Sequence, residues 1–201
     1  MRKAIVSWSG GKDAAWSLHR IRAEYEVAAL FCTVAEADCV VPVHNVPQRA
    51  IASQSAALGL PLWTIALPQP CSNIQYAERV QPVWERARGE KIDTVVFGDL
   101  FLQDIRAWRE QLLRGTGMTA VFPLWMEPTG GLAREMIREG LDAAVCSVDP
   151  AKLPESFVGR RFDEAFLAEL PAGIDPCGEN GEFHTFVKNM PGFARCAESY
   201  L

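Results

Sequence analysis

Short apolar runs alternate with helix-forming segments along the chain, up to about residue 150. The apolar runs predict β-strands at Lys3–Trp8, Val27–Val34, Leu62–Leu67, Thr94–Phe97, Ala120–Pro123 and Ala143–Val148. The segments between and after them predict helices at Lys12–Ala23, Pro47–Leu58, Ser72–Ala87, Leu102–Leu113, Thr129–Glu139 and Phe162–Leu170. Because the strands are continuously apolar and separated by helices, we expect a mainly parallel sheet covered on both faces. The predicted fold is therefore α/β, doubly wound and Rossmann-like, with a small C-terminal lobe.

The last quarter of the chain follows a different pattern. Beyond its one predicted helix it contains the Pro/Gly-rich stretch "ELPAGIDPCGENGE", and then a hairpin-like segment that begins at Phe183. We therefore divide the chain into an α/β portion, 1–135, and a C-terminal portion, 136–201, that closes over the sheet. The boundary is soft, and both portions could form one domain.

Composition excludes several classes of protein. A net charge of -5 argues against a broadly basic surface for nucleic acid. The apolar run after Met1 is too short for a signal peptide, and no stretch has the apolar length of a membrane helix. The six cysteines form no C-x-x-C pair and, with the three histidines, show no zinc-ligand spacing. We therefore expect a cytoplasmic protein with reduced thiols and no membrane partner.

The stretch "AIVSWSGGKDAAWSLHR" places two glycines and a lysine between the first strand and the first helix. Glycine allows the backbone to approach a ligand closely, and the start of a helix presents free N–H groups that favour phosphate. The segment Ser9, Gly10, Gly11, Lys12 and Asp13 therefore predicts a cradle for nucleotide phosphates, in which Asp13 could also contact Mg²⁺. An ordinary turn with a solvated charge pair is the alternative. The segment is not a Walker A loop, because Val6 and Asp13 occupy positions where that motif has glycine and Ser or Thr.

The stretch "DPCGENGEFHT" brings three carboxylates together within eight residues: Asp175, Glu179 and Glu182. Carboxylates in a glycine-rich loop can hold Mg²⁺, bind ammonium or take a proton from an incoming amine. His184 and Thr185 lie beside them in the sequence. A solvated acidic turn is the alternative explanation.

Other polar residues occupy favourable positions along the predicted fold. Asp99 follows a predicted strand, so it could bind Mg²⁺ or a ribose, or simply cap the next helix. Arg106 and Arg109 on that helix could hold a phosphate or carboxylate, although helical arginines are commonly solvated. His44 lies among apolar residues, where a lone histidine is commonly structural.

These motifs together resemble the PP-loop ATP pyrophosphatases, whose loop is usually S-G-G-K-D-S. Within that superfamily the chain is similar to the diphthine–ammonia ligase family and its bacterial relatives. The resemblance extends from Ser7 to Val187 and rests on the stretches "SWSGGKDA", "VPVHNVP", "QSAALGLPL", "FGDLFLQDIRAWRE", "FPLW" and "GENGEFHTFV". The last of these resembles the family signature G-E-x-G-E-[YF]-x-T. The resemblance implies an adenine nucleotide alpha hydrolase-like fold.

The resemblance also implies an activity. It is that of an ATP-dependent ligase that converts ATP to AMP and pyrophosphate, activates a carboxylate as an acyl-adenylate and lets ammonia displace AMP. ATP would be the substrate, with Mg²⁺ as cofactor and Lys12 stabilising the leaving pyrophosphate. Glu179 and Glu182 would be catalytic residues on the acceptor side, with Glu182 serving the attack by ammonia. The remaining implied substrate-binding residues are His44, Arg106, Arg109, His184 and Thr185.

Several points stay open at the level of sequence. Ala14 occupies the position where the superfamily usually has Ser or Thr, which removes a hydroxyl from the phosphate loop. The acceptor would be diphthine on elongation factor 2 in an archaeon or eukaryote, and another carboxylate in a bacterium. A tRNA-modifying PP-loop enzyme and a non-catalytic adenine-nucleotide-binding module are the alternative functions. We also allow for a homodimer.

Overall fold

The structure, a computed structural model, describes residues 1–198 and Tyr200. Its strands are β1 (Arg2–Ser7), β2 (Tyr25–Ala35), β3 (Val40–Val41), β4 (Val46–Pro47), β5 (Leu62–Leu67), β6 (Thr94–Val96), β7 (Thr119–Val121), β8 (Asp142–Val148) and β9 (Phe183–Asn189). Its helices are α1 (Lys12–Ile21), α2 (Gln48–Leu58), α3 (Asn73–Gly89), α4 (Gln103–Leu112), α5 (Thr129–Arg138) and α6 (Glu164–Glu169). A short 3₁₀ turn covers Glu155–Phe157.

A five-stranded sheet with the order β5-β2-β1-β6-β7 forms the centre of the fold, and every pair of neighbours in it is parallel. Ala4, Ile5 and Val6 of the central strand β1 are all fully buried. Since successive strand residues point to opposite faces, burial of all three means that both faces of the sheet are covered. Ala4 and Val6 belong to one apolar core, whereas Ile5 belongs to a second. The predicted doubly wound α/β fold is confirmed.

The order of the strands determines where a ligand can bind. The chain winds outwards from β1 to β2 and β5, and then returns to place β6 on the other side of β1. Such a reversal opens a crevice at the carboxyl ends of the two central strands. The segments that follow β1 and β6, Ser9–Gly11 and Gly98–Asp99, leave the sheet at this crevice.

The C-terminal portion differs from the sequence prediction in two respects. The strand predicted at Ala143–Val148 is present as β8, but it pairs antiparallel with β9 in a separate two-stranded sheet. The hairpin predicted from Phe183 is also wrong, because β9 takes β8 as its partner and no second strand follows it as far as residue 198. Strand β9 is held instead against the loop after β1, where the Val187 N–H donates to the Gly10 carbonyl at 2.9 Å. Ser199 and Leu201, also part of that predicted hairpin, lie outside the described residues.

Within residues 1–198 and Tyr200, no helix has both the length and the apolar character needed to cross a membrane. The longest helix, α3, has 17 residues and includes several charged side chains.

The contact between the segment after β6 and the first turn of α1 generates a test of the fold. A Cβ added at Gly98 would lie 2.9 Å from both the Asp13 carbonyl carbon and the Ala14 nitrogen, which are backbone atoms with little freedom to move. We expect Gly98→Ala to lower the free energy of unfolding by about 1–3 kcal/mol, because the first turn of α1 must shift. Urea denaturation measures this difference.

Gly131 provides the matched control for this substitution. It lies in α5, and an added Cβ would meet no atom within 4 Å. Gly131→Ala should raise the free energy of unfolding by about 0.5–1 kcal/mol, since alanine favours the helix. Equal effects of the two substitutions would contradict the close approach described for Gly98.

Candidate active site

A cleft of about 440 Å³ lies at the crevice between the carboxyl ends of β1 and β6. Strand β9 and the loop before it form its far wall. The structure brings most of the sequence-predicted site residues to this cleft, namely Ser9, Lys12, Asp13, His44, Asp99, Arg109, Glu179, His184 and Thr185. They come from five separate stretches of the chain.

The two glycines of the loop after β1 are required by their surroundings. Gly10 has a φ of +82°, and a Cβ there would lie 2.6 Å from Ile51 Cδ1. A Cβ on Gly11 would lie 2.8 Å from His44 Cε1. Larger residues would therefore push α2 and the β3–β4 segment away from the loop.

The start of α1 faces the cleft, and its N-cap residue supplies no side-chain hydrogen bond to the first N–H groups of the helix. Gly11 is the N-cap residue and has no side chain to bond the helix N–H groups. The Lys12 N–H donates to Thr185 Oγ1 at 3.0 Å, and the Gly11 N–H to Ser9 Oγ at 3.4 Å. The first N–H groups of a helix carry partial positive charge, so this corner favours an anion.

Lys12 is almost completely buried, with 2% of its surface exposed. Its Nζ donates to Asp13 Oδ2 at 2.8 Å and to the carbonyl of Cys177, and it lies over the ring of Phe183. Burial opposes its charge, but the neighbouring Asp13 and Glu179 outweigh burial, and the pKa of Lys12 is raised. The lysine therefore stays a cation at the edge of the cleft.

Two carboxylates of the cleft have oxygens without hydrogen-bond donors among the described residues, Asp13 Oδ1 and Asp99 Oδ2. Asp99 Oδ2 lies 3.5 Å from Arg109 Nε. Residues 1–198 and Tyr200 contain no cluster of three His, Cys, Asp or Glu that could hold a metal unaided. Mg²⁺ is usually held by one or two carboxylates together with substrate phosphates, so the two oxygens fit that ion in the presence of a nucleotide.

Asp175 organises the loop at residues 175–182, which we call the acidic loop. Its Oδ2 accepts hydrogen bonds from the Cys177 N–H at 3.1 Å and the Glu179 N–H at 3.0 Å, and its Oδ1 accepts one from the Thr129 hydroxyl. Gly178 has a φ of +70°, and a Cβ there would lie 2.6 Å from the Phe183 carbonyl oxygen. The acidic loop is thus a defined structure rather than a solvated turn.

Glu179 points from this loop into the cleft. Its Oε1 accepts a hydrogen bond from the Leu100 N–H at 2.7 Å, just beyond β6. Burial, together with the charges of Asp13 and Asp99, raises the pKa of Glu179 to about 7. A carboxyl group with this pKa can take or give a proton near neutral pH.

Glu182 is placed differently from the sequence expectation. It is buried, and its Oε1 accepts from the Asp175 N–H at 3.0 Å and from Asn180 Nδ2 at 3.1 Å, so its contacts lie within the loop. Burial opposes its charge, but these donors prevail and the pKa of Glu182 is lowered. The geometry favours a structural part for Glu182 and leaves Glu179 as the carboxylate that faces the cleft.

His44 and His184 meet across the cleft, with ring centroids 4.6 Å apart. Burial, together with the other imidazole, lowers the pKa of His44 to about 3, and burial with Lys12 nearby lowers the pKa of His184 to about 4. His44 Nδ1 lies 3.4 Å from the Thr185 carbonyl oxygen, which makes Nδ1 the protonated nitrogen. Both imidazoles are therefore neutral near pH 7.

The two predicted arginines separate in the structure. Arg109 lines the cleft, stacks over Phe97 and lies beside Asp99. Arg106 lies over the rings of Phe122 and Trp125 and pairs with Glu110 on its own helix. The structure therefore does not bring Arg106 to the cleft.

Gln54 is the main residue that sequence reasoning missed. It is fully buried on α2, where its side chain contacts Trp8, Gly10 and Val187. The signal in the sequence was a polar residue at helical spacing from the buried Ala50 and Ile51. A polar side chain on the core face of a helix needs hydrogen-bond partners, and here Trp8, the loop after β1 and strand β9 supply them.

Two family models match this chain. The model of the diphthamide synthase N-terminal domain covers residues 1–120, and that of the C-terminal domain covers residues 129–198. The chain belongs to the diphthamide synthase family. The matched residues include the phosphate loop in the first model and the acidic loop in the second, so both walls of the cleft lie within the family's own domains.

The chain is also similar to curated diphthine–ammonia ligases. The chain is 26% identical to the diphthine–ammonia ligase of Rattus norvegicus over 93% of its own length and 79% of the relative. It is 26% identical to that of Danio rerio, covering 82% of the relative, and 24% identical to that of Homo sapiens, covering 79%. The matched region spans most of these proteins.

A solved structure from Methanocaldococcus jannaschii, described as a predicted subunit of tRNA methyltransferase, matches with a TM-score of 0.50 and 16% identity. The match covers 95% of this chain and 98% of the other. Identity at this level shows a shared fold alone.

Glu179 generates a pH-dependent prediction. Its pKa is raised from an ordinary 4.5 to about 7, so the folded state binds more protons than the unfolded state between these pH values. The free energy of unfolding should therefore fall as the pH rises through this range. Glu179→Gln cannot titrate, and its stability relative to wild type should rise from pH 4.5 to 7. Urea denaturation across this range measures the difference.

Glu182→Gln is the matched comparison, with the opposite sign. The lowered pKa of Glu182 means that its charge stabilises the fold above about pH 4.5 and that this stability is lost in acid. Glu182→Gln should thus be less stable than wild type at pH 7, and the deficit should shrink as the pH falls below 4.5. The same pH profile for both variants would contradict the placement of the two carboxylates.

Proposed function

We propose that this protein is an ATP-dependent ligase that activates a carboxylate by adenylation, releases pyrophosphate and joins the carboxylate to ammonia. The observation that carries the proposal is one cleft in which a buried lysine and the start of α1 face a carboxyl group of raised pKa. The relatives' names, which state ammonia as a ligated group, support the same reaction class.

The phosphates of ATP would lie against Ser9–Asp13. Adenylation places negative charge on the leaving pyrophosphate, and the cation of Lys12 together with the N–H groups of the loop can stabilise it. Mg²⁺, held by Asp13 and Asp99, would supply further positive charge to the phosphates when bound.

The adenosine would lie in a neighbouring cavity of about 410 Å³, beyond the ends of β1, β2 and β5. This cavity shares Ser9, His44 and Arg109 with the main cleft, so a nucleotide can extend from one into the other. Phe31 and Tyr76 provide aromatic walls that suit a flat base.

Glu179 would handle the proton of the incoming amine. Ammonia reaches the cleft mostly as ammonium near neutral pH, and it must lose a proton before or during attack. A carboxylate with a pKa of about 7 is matched to this transfer, whereas the neutral His44 and His184 would line the acceptor side without charge.

The proposal also names the carboxylate that accepts ammonia. The relatives' names give diphthine as their acceptor, and we propose diphthine on elongation factor 2 wherever the source cell makes it. In a cell without diphthine, another carboxylate would take its place. The expected homodimer, the cytoplasmic location and the division at residue 135 stay predictions.

Lys12→Ala tests the ATP half of the reaction. The variant should lose formation of AMP and pyrophosphate by about 10²- to 10³-fold, because an electrostatic partner of the leaving group is removed. The assay contains ATP, Mg²⁺, ammonium and the acceptor carboxylate. Lys152→Ala is the matched control. Like Lys12, Lys152 donates to a backbone carbonyl of residues 175–182, that of Asn180, but it does so from the exposed side. This variant should keep wild-type turnover. Unchanged turnover in Lys12→Ala would overturn the assignment of the phosphate loop.

Glu179→Gln tests the amine half. It keeps the shape of the side chain and the acceptor for the Leu100 N–H, but it cannot take a proton. ATP binding should stay close to wild type, while amide formation should fall by about 10²- to 10⁴-fold. Glu182→Gln, compared at a temperature where it is folded, should retain more activity. If Glu182→Gln instead loses more amide-forming activity than Glu179→Gln, Glu182 would be the general base.

A further inference from the structure

The side chain of Gln54 connects three parts of the fold that are distant in sequence. It is fully buried on α2 and lies between the end of β1, the phosphate loop and β9. A buried amide on a helix is costly unless its hydrogen-bonding groups are paired, and here they are paired with backbone and indole groups. Nothing in the proposed chemistry involves this side chain directly.

The orientation of the amide follows from its partners. The Trp8 indole can only donate, so the atom 2.8 Å from Trp8 Nε1 is the oxygen of Gln54. The two protons of Nε2 then go to the carbonyl oxygens of Gly10, at 3.0 Å, and Val187, at 2.7 Å. Rotating the amide by half a turn would place N–H against N–H and oxygen against two carbonyls.

The Gly10 carbonyl is thus held by two donors, Gln54 Nε2 and the Val187 N–H at 2.9 Å. In a trans peptide the C=O and the following N–H point in opposite directions. A Gly10 carbonyl directed into the core therefore directs the Gly11 N–H outwards, towards Ser9 Oγ and the cleft. Because Gly10 is a glycine at φ +82°, its own backbone preference resists rotation of this peptide only weakly.

We propose that Gln54 is a positioning residue that fixes the peptide between Gly10 and Gly11 so that the Gly11 N–H faces the nucleotide phosphates. Without it, the Val187 N–H alone holds the Gly10 carbonyl. The peptide can then rotate more easily and present a carbonyl oxygen to an anion, which is repulsive. Gln54 acts on the ligand only through the loop, since α2 lies behind that loop. The proposal rests on the proposed binding of ATP phosphates at Ser9–Asp13.

The experiment compares variants by calorimetric binding of inorganic pyrophosphate and of ATP, each with Mg²⁺. Gln54→Glu still accepts from Trp8 but, when ionised, turns a carboxylate oxygen towards two carbonyls. Gln54→Met fills a similar volume without hydrogen bonds. Both should bind pyrophosphate about 10- to 100-fold more weakly than wild type. The reason is that the Gly11 N–H would no longer face the anion and the Gly10 carbonyl oxygen would take its place. Equal affinity in a folded Gln54→Met protein would overturn the proposal.

Ser55→Ala is the matched control. Ser55 lies next to Gln54 on α2, and its hydroxyl donates to the Leu60 carbonyl at 2.6 Å, away from the phosphate loop. This variant should lose stability on heating yet keep the pyrophosphate affinity of wild type. If affinity falls in step with stability in every variant, including Ser55→Ala, then Gln54 supports the fold and does not position the loop.

Trp8→Phe provides a second route if the Gln54 variants do not fold. It removes the indole donor that orients the amide while leaving Gln54 in place, and it should weaken pyrophosphate binding relative to wild type. Unchanged binding in Trp8→Phe, with the Gln54 variants unfolded, would overturn the proposal.

Wild-type protein that binds neither ATP nor pyrophosphate would overturn the proposed function itself. Wild-type binding together with unaffected variants would overturn only this inference.

Discussion

The hydrogen bonds between β9 and the loop after β1 are the interaction on which the rest of the site depends. The Val187 N–H donates to the Gly10 carbonyl, and the Thr185 hydroxyl accepts from the Lys12 N–H. These contacts join the two ends of the chain at the crevice of a parallel sheet. They hold the loop after β1 against β9, and so bring the acidic loop that precedes β9 to the same cleft.

A buried cation imposes a second constraint. Lys12 would be costly in the core if it were alone, so its charge is matched by Asp13 and by the carbonyl of Cys177. Cys177 belongs to the acidic loop, and through it the lysine also holds that loop in place. The groups that neutralise Lys12 therefore also hold the loop around Cys177 in place. In the proposed function, phosphate binding at Lys12 would be coupled to the position of that loop.

Residue pattern alone predicted the parallel sheet well and the C-terminal portion poorly. Alternating apolar runs and helices reflect local rules, and these rules locate the five strands of the parallel sheet and the crevice beyond them. The short antiparallel pair of β3 and β4 was not predicted. The pairing of β8 with β9 is a long-range contact, and nothing in the composition of Phe183–Asn189 distinguishes it from one arm of a hairpin. Glu179 and Glu182 also look alike in the sequence, because both are carboxylates of one glycine-rich stretch. Only the folded loop shows that the Asp175 N–H and the Asn180 side chain hold Glu182 within it.

The sequence by itself determined the fold class, the strand–glycine–lysine corner and the residue types needed for an anion and an amine, because these follow from periodicity and side-chain chemistry. Only the tertiary structure decided that Arg109 reaches the cleft while Arg106 stacks on Trp125. It also decided that Gln54 lies behind the phosphate loop. Burial and hydrogen-bond partners depend on which distant segments meet, and that information appears only when the chain is packed.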